Sequence, residues 1–229
     1  MTLILNIETA TKVCSVSLAL NGKTIATKEE LGIQYIHSEK LTVFIDELIK
    51  ESDYSIKDLT AICVSKGPGS YTGLRIGVSC AKGLSYALNI PLLSIDSLTI
   101  LGHYFSQLNE IPADTIVYPM IDARRMEVFT QRMGADLAVE NPIEAMILNE
   151  DSFSDSQQNI YLFGDGANKL DGFITSKTVS VFKNVETSAK GMEAVSYQKF
   201  LDSDFEDVAY FEPYYLKEFI AVPSKKKLL

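Results

Sequence analysis

The spacing of apolar residues at the start of the chain predicts three β-strands. Residues 3–7 form an apolar run that only Asn6 interrupts, and residues 14–20 alternate between apolar and small side chains. A period of two is typical of a strand with one face in a core. Asn21-Gly22 follows, and this pair favours a type I′ hairpin turn because both central positions need positive φ. A third strand is therefore predicted over Lys23–Leu31.

A helical period begins near residue 37. Apolar residues recur every three or four positions over 37–50, which predicts an amphipathic helix, with Ser38 as its N-cap. The elements predicted after it are a strand at 61–65, a helix at 73–88, a strand at 92–95 and a helix at 97–107. The first hundred residues thus have the order β-β-β-α-β-α-β-α.

The second half of the chain weakly repeats this order. Strands are predicted at 116–122, 127–133, 143–148, 160–163 and 179–182, with a short helix after residue 166 and a longer one at 188–201. A meander followed by alternating helices and strands, present twice, predicts two similar α/β lobes with a cleft between them. We place the first lobe at 1–108 and the second at 109–229, with the C-terminal tail packing back on the body.

Composition narrows the class of protein. The 229 residues carry a formal charge of −9, with 46% hydrophobic and 22% charged residues, as in an ordinary globular domain. An acidic chain is poorly suited to bind nucleic acid alone, because phosphate binding relies on clustered Lys and Arg. Arg75, Lys82, Arg124 and Arg125 could form at most a local patch within a complex. Three apolar-flanked cysteines and the lack of a long uncharged segment lead us to expect a cytoplasmic protein with no membrane association.

The glycine-rich segment 67–73 has two interpretations. Free N–H groups at the start of the following helix favour an anion, so Gly67, Gly69 and Ser70 are candidate anion ligands. The alternative is a purely structural turn between strand and helix. The segment lacks the Lys-Ser/Thr pair of a Walker A loop, since Leu74-Arg75 follows Gly73.

Other polar residues stand at predicted strand ends. Glu8 and Thr9 follow the first strand, Asp122 ends a strand of the second lobe, and Gly164 and Gly166 flank Asp165 in a loop. Such carboxylates can hold a hydrated Mg²⁺ beside a nucleotide. Solvated strand ends and a tight turn are the alternative.

The helix at 73–88 is unusually apolar, with Arg75 and Lys82 as its only charges. It could be a central helix of one subunit, or it could pack with the preceding helix on a second protein. The residues assigned to such a partner surface are His37, Ser38, Leu41, Ile45, Leu48, Gly73, Arg75, Ile76, Gly77 and Cys80.

Nucleophile and metal motifs are not found in the sequence. Its two histidines, His37 and His103, are not spaced as a metal pair, and neither HExxH nor GxSxG occurs. We therefore assign no catalytic residue and no metal ligand.

The sequence resembles the TsaB (YeaZ) family over essentially its whole length. The motifs that carry the resemblance are Ile7-Glu8-Thr9-Ala10-Thr11, Cys14-Ser15-Val16, His37-Ser38-Glu39, GPGSYTGLRIGVSCAKGLSYALNIPLLSI from Gly67, Ile121-Asp122-Ala123-Arg124 and Pro213-Tyr214-Tyr215-Leu216. Of these, the block that starts at Gly67 is the most specific.

The resemblance implies an actin-like ATPase fold with mixed five-stranded sheets. It also implies a non-catalytic subunit that binds and activates the catalytic paralogue TsaD through helices 38–50 and 73–88. With TsaE, that complex would modify adenosine 37 of tRNAs that read ANN codons, and this chain would meet tRNA only through the complex. No cofactor is expected. The alternative hypothesis is an enzyme of the actin-like ATPase or kinase type that binds ATP or ADP weakly. A homodimer is expected when the partner is missing.

The resemblance further explains why an accessory role is expected. TsaD resembles a metalloprotein with a His-x-x-x-His pair after the strand that follows its glycine-rich helix. The matching positions here are Ser97 and Leu101, which are not useful ligands for such an ion.

Overall fold

A computed structural model describes residues 1–149, 151–153, 157–172, 174 and 176–217. Its first sheet contains β1 (Leu3–Glu8), β2 (Val13–Leu20), β3 (Lys23–Leu31), β4 (Ala61–Gly67) and β5 (Leu92–Asp96), in the spatial order β3-β2-β1-β4-β5. The first three strands are antiparallel neighbours, whereas β4 and β5 run parallel to β1.

The second sheet repeats this topology. It contains β6 (Thr115–Asp122), β7 (Glu127–Thr130), β8 (Glu144–Ile147), β9 (Asn159–Phe163) and β10 (Val179–Phe182), in the order β10-β9-β6-β7-β8. Again the first three strands are antiparallel, and β9 and β10 are parallel to the first strand. Two mixed five-stranded sheets of one topology confirm the predicted actin-like ATPase fold.

Four α-helices connect and cover the sheets in the described part of the chain. They are α1 (His37–Glu51), α2 (Tyr71–Leu88), α3 (Ser97–Leu108) and α4 (Glu193–Leu201). One face of the first sheet is covered by α1 and α2, through residues such as Leu41 and Val78. Short 3₁₀ helices occupy Ile56–Asp58, Asp165–Leu170 and Ala189–Met192.

The α3 helix lies between the two sheets. Ile100 joins the core on the second face of the first sheet. Leu101 and Phe105 join the core of the second sheet, where the Phe105 ring stacks on Phe163 with centroids 3.9 Å apart. One helix therefore contributes to both lobes.

The chain returns to the first sheet after β10. Met192 and Val195 pack on the same face as Ile100, so α4 covers the first sheet although it follows the second. The boundary between the two lobes at residues 108 and 109 stays a prediction. Beyond α4, the Glu206 amide donates to the Leu92 carbonyl at 2.8 Å, and the Tyr214 amide donates to the Lys66 carbonyl at 2.7 Å.

The local predictions hold, with some changes at element ends. The Asn21-Gly22 turn has φ of 49° and 80°, as a type I′ turn requires. The predicted N-cap Ser38 is wrong, because Ile36 occupies that position. The α2 helix starts earlier than predicted, since the Ser70 hydroxyl accepts a hydrogen bond from the Gly73 amide and caps the helix at residue 70. Within the described residues, no helix is long and apolar enough to cross a membrane.

Candidate functional site

The turn between β1 and β2 is enclosed beneath the glycine-rich segment. Glu8 and Thr9 have no exposed surface. The Ser70 amide donates to the Ala10 carbonyl at 2.6 Å. A Cβ at Gly69 would lie 2.3 Å from the Ala10 carbonyl oxygen, and one at Gly73 would lie 2.2 Å from the Thr9 carbonyl oxygen. The glycines therefore let α2 approach the turn backbone more closely than any side chain permits.

This packing corrects the assignment of Glu8 and Thr9 to a ligand site. Because both are fully buried, neither faces a cleft. The structural interpretation explains the glycines at 69 and 73, and also Gly67, whose φ is +109° and whose Cβ would lie 2.6 Å from the Tyr214 carbonyl oxygen. Anion binding by Gly67, Gly69 and Ser70 stays a prediction that these contacts do not favour.

Glu8 is a buried carboxyl group without a neutralising cation in contact. One oxygen, Oε1, accepts a hydrogen bond from the Ala10 amide at 2.6 Å, and Oε2 has no partner among the described residues. Burial raises the pKa of Glu8 to about 7, although the hydrogen bond from the Ala10 amide opposes this shift. Glu8 therefore keeps its proton to a higher pH than an exposed glutamate does.

His37 has a structural role in the same region. It is 1% exposed, and its Nε2 atom lies 2.8 Å from the Thr11 carbonyl oxygen. Burial lowers the pKa of His37, so a neutral ring donates this hydrogen bond. His37 thus attaches the start of α1 to the β1–β2 turn and is not available to a partner protein.

The turn between β6 and β7 in the second lobe is different. Asp122 is exposed, and its Oδ1 atom lies 2.6 Å from Lys169 Nζ. The same ammonium donates to the Glu127 carbonyl at 2.7 Å, and the Asp122 amide donates to Asp165 at 2.9 Å. Asp122 is thus already paired with a cation of its own chain.

Gly164 and Gly166 serve packing rather than an open loop. A Cβ at Gly164 would lie 2.1 Å from the Met120 carbonyl oxygen, and one at Gly166 would lie 2.8 Å from Val128 Cγ1. Both glycines therefore bring the 3₁₀ helix close to β6. Weak binding of ATP or ADP stays a prediction from the sequence, and no contact in the described residues favours it.

Most of the predicted partner residues lie in the core. Leu41, Ile45 and Leu48 are 1%, 5% and 1% exposed because their stripe faces the first sheet. Gly73 and Gly77 face the β1–β2 turn, where a Cβ at Gly77 would lie 2.2 Å from Thr9 Oγ1. The assignment of these five residues to direct partner contact is wrong, since the chain covers them itself.

A different set of residues forms the outer side of α1 and α2. Val43 is 44% exposed and Tyr86 is 83% exposed. Gly83 has open space above it, with no atom within 4 Å of an added Cβ. We define the helix-pair face as Ser38, Val43, Ile76, Cys80, Gly83 and Tyr86; Ile76 and Cys80 are half-buried and Ser38 is exposed. Sequence reasoning missed Val43, Gly83 and Tyr86.

Arg75 is engaged by the C-terminal segment 204–217, which we call the strap. The Arg75 guanidinium lies 4.0 Å from the Tyr71 ring centroid, and the Arg75 Nε donates to the Tyr215 hydroxyl at 3.0 Å. Further along α2, Lys82 donates to the carbonyls of Ala209 and Phe211 at 3.1 and 2.9 Å. The strap therefore contacts α2, and both cations of α2 are used in this contact.

The two positions that the family resemblance matches to a histidine pair are also in the core. Ser97 is 0% exposed and Leu101 is 1% exposed, where Leu101 packs against the second sheet. Among the residues that the structure describes, no three metal-capable side chains come together.

Comparisons with known proteins place these observations in context. The family model described as TsaD, tRNA N6-adenosine threonylcarbamoyltransferase, matches residues 32–219. The tRNA threonylcarbamoyladenosine biosynthesis protein TsaB of Bacillus subtilis is 35% identical over 130 residues, which are 56% of this chain but only 53% of that protein. TsaB of Escherichia coli is 28% identical over 97% of this chain and 99% of its own length. The structure of YeaZ from Pseudomonas aeruginosa superimposes with a TM-score of 0.79 at 22% identity, over 94% of this chain and all of that one.

Proposed function

Because the chain belongs to the TsaB (YeaZ) family, we propose that it is a non-catalytic subunit in tRNA threonylcarbamoyladenosine biosynthesis that binds and activates the transferase TsaD. The observation that supports this role is the helix-pair face. Tyr86 is 83% exposed and stands beside the open surface over Gly83. An aromatic ring next to an open, small-residue surface is suited to pack against a helix of a partner protein.

The residues at the two positions matched to the histidine pair, Ser97 and Leu101, support a non-catalytic role. Leu101 fills the core between α3 and the second sheet, and Ser97 is enclosed at the start of α3. A divalent ion needs accessible nitrogen or oxygen ligands and an open coordination position for substrate. A leucine in the core supplies neither, so this subunit would act on the reaction only through its partner.

Contact with tRNA is proposed to occur only through the complex, together with TsaE. The chain carries a charge of −9, which repels a phosphate backbone. Arg75 and Lys82 are occupied by the strap. Only Arg124 and Arg125 of the four basic residues named above then remain on an exposed turn for a contact with adenosine-37-containing tRNA.

The test of this function is a substitution on the helix-pair face that leaves the fold intact. Gly83→Arg places its side chain in open space and replaces glycine within a helix, a change that favours the folded state. We expect the variant to fold and to lose co-purification with the cognate TsaD, because the added side chain would hold the two surfaces apart. Tyr86→Asp should have the same effect.

The matched control is Ile147→Asp, which changes another strongly exposed apolar residue, 72% exposed, on β8 of the second lobe. This variant should bind TsaD as the wild type does. Normal TsaD binding by a folded Gly83→Arg protein would overturn the proposed interface. In the absence of TsaD, sizing should show a homodimer that Gly83→Arg also disrupts.

A further inference from the structure

A cavity of about 240 Å³ lies at the junction of the two lobes, away from the helix-pair face. It is bounded by the paired ends of β2 and β3, by the end of α3 and by residues 184–188. Its apolar walls are formed by Val13, Leu31, Tyr104, Leu108 and Val185. Leu31 and Leu108 remain 57% and 60% exposed, so a ligand there would cover apolar surface that the chain leaves in water.

Two carboxylates line this cavity, and one of them is fully satisfied. Glu29 accepts hydrogen bonds from Ser188 at 2.6 Å and from Ser15 at 3.1 Å, and its other oxygen pairs with Lys190 at 2.8 Å. Burial would raise the pKa of Glu29, but these three donors outweigh it and hold the pKa below its usual value. Glu29 therefore stays ionised and is neutralised within the chain.

The second carboxylate, Glu186, has no such partner. It is half-buried, and it makes no hydrogen bond or ion pair with the described residues. Burial and the charge of Asp165 raise the pKa of Glu186 to about 7, and Lys12 opposes this shift from a distance. The cavity thus contains one carboxylate whose negative charge has no contacting counter-charge.

We propose that this cavity binds a small organic monocation, an ammonium group on an apolar body, with Glu186 as its counter-charge. One unbalanced carboxylate matches a single positive charge. The apolar walls match the body of the ligand, and the Tyr104 ring can contact the ammonium group. The site does not rest on the function proposed above.

Other ligand classes fit less well. A nucleotide or another anion would be repelled by ionised Glu186, which has no counter-charge among the residues that line the cavity. A divalent metal ion would need several oxygen or nitrogen ligands, and the described residues contain no such group of three. The cavity volume of about 240 Å³ lies below the usual range of about 300–1,000 Å³ for ligand pockets, which favours a compact amine.

Binding of a cation should be coupled to the release of a proton. An ammonium group is attracted only by ionised Glu186, so the affinity should increase as the pH rises past the pKa of about 7. Between pH 6 and pH 8 the ionised fraction changes about tenfold. The charged or titratable groups that face Glu186 or line the cavity with it are Lys12 in the β1–β2 turn, Asp165 in the 3₁₀ helix, Glu29 on β3, Lys190 before α4 and Tyr104 on α3.

The test is an NMR titration of the full chain with phenethylammonium chloride, with 2-phenylethanol as the neutral probe of the same shape. We expect saturable shifts at pH 8 for residues that line the cavity, about tenfold weaker binding at pH 6, and no saturation with the alcohol. Equal binding of the amine and the alcohol, or no saturable binding of the amine at pH 8, would overturn the proposal.

Three variants separate the role of Glu186 from a general charge effect. Glu186→Gln should weaken amine binding at pH 8 at least tenfold and abolish its pH dependence. Lys12→Gln should strengthen binding severalfold, because it removes a like charge from the approach of the ligand. Glu144→Gln removes one negative charge on β8 and should change nothing. Unchanged binding by folded Glu186→Gln would exclude the site.

Discussion

The first hairpin of each sheet has the same topological position, but the two hairpins have opposite environments. In the first lobe, Glu8 and Thr9 at the start of the β1–β2 turn are buried beneath α2, and the Glu8 carboxyl group has no cation in contact. In the second lobe, the β6–β7 turn is exposed, and Asp122 is paired with Lys169. Shared strand order therefore does not imply a shared site.

The helix that follows the fourth strand of each sheet explains this difference. After β4 the chain forms the 18-residue helix α2, whose glycines press on the β1–β2 turn. After β9 it forms a 3₁₀ helix of only six residues, Asp165–Leu170. The short helix supplies a lysine but cannot cover the turn. Glu8 and Thr9 are thus covered by α2, whereas the sequence predicts that they face the cleft between the lobes.

The largest expected effect comes from Gly73→Ala. Its Cβ would lie 2.2 Å from the Thr9 carbonyl oxygen, a backbone atom that cannot rotate away. We expect a loss of about 3 kcal/mol in the free energy of unfolding, measured in urea. Gly83→Ala in the same helix is the control, and it should stabilise the protein by about 0.5–1 kcal/mol. A loss below about 1 kcal/mol for Gly73→Ala would mean that α2 does not press on the turn.

The next effect is a pH dependence that Glu8 introduces. Its pKa is raised from 4.5 to about 7 on folding, so the folded state binds more protons than the unfolded state between these values. Stability should therefore fall as the pH rises from about 4.5 to above 7. This rise in the pKa of Glu8 corresponds to roughly 3 kcal/mol of stability as an upper bound.

Glu8→Gln should remove this dependence, because an amide carries no charge to bury. Relative to the wild type, it should gain about 2 kcal/mol at pH 8 and nothing near pH 4. The measurement is urea unfolding across that range, with Glu144→Gln as an exposed control. A wild-type stability that rises between pH 5 and pH 8, while Glu8→Gln follows the same curve, would contradict this account of the buried turn.

The smallest of these effects is expected in the second lobe, from Lys169→Met. This change removes the ion pair with Asp122 and the hydrogen bond to the Glu127 carbonyl but keeps the length of the side chain. We expect a loss of about 1–2 kcal/mol. Since Asp122 is exposed, the loss should shrink at high salt in thermal unfolding. A loss as large as that of Gly73→Ala would mean that the two hairpins do not differ as described.

The helix pair illustrates how far the sequence could be interpreted. The apolar stripe of α1 was correctly recognised, and so was the presence of an apolar helix α2. The stripe, however, faces the first sheet, so Leu41 and Ile45 are in the core, whereas Val43 and Tyr86 are exposed. Periodicity identifies an apolar face of a helix. In the folded chain the most apolar face packs on the sheet, and a less apolar face remains exposed.

The sequence by itself determined the order of the elements, the hairpin at Asn21-Gly22 and the repetition of one topology, because these depend on residues close together in the chain. Tertiary structure decided which side chains are available. Thr9 meets Gly73 and Gly77, Arg75 meets Tyr215, and the cavity joins residues from 13 to 188. Such contacts depend on how sheets and helices stack. The local alternation of apolar and polar residues does not encode which distant segments of the chain come into contact.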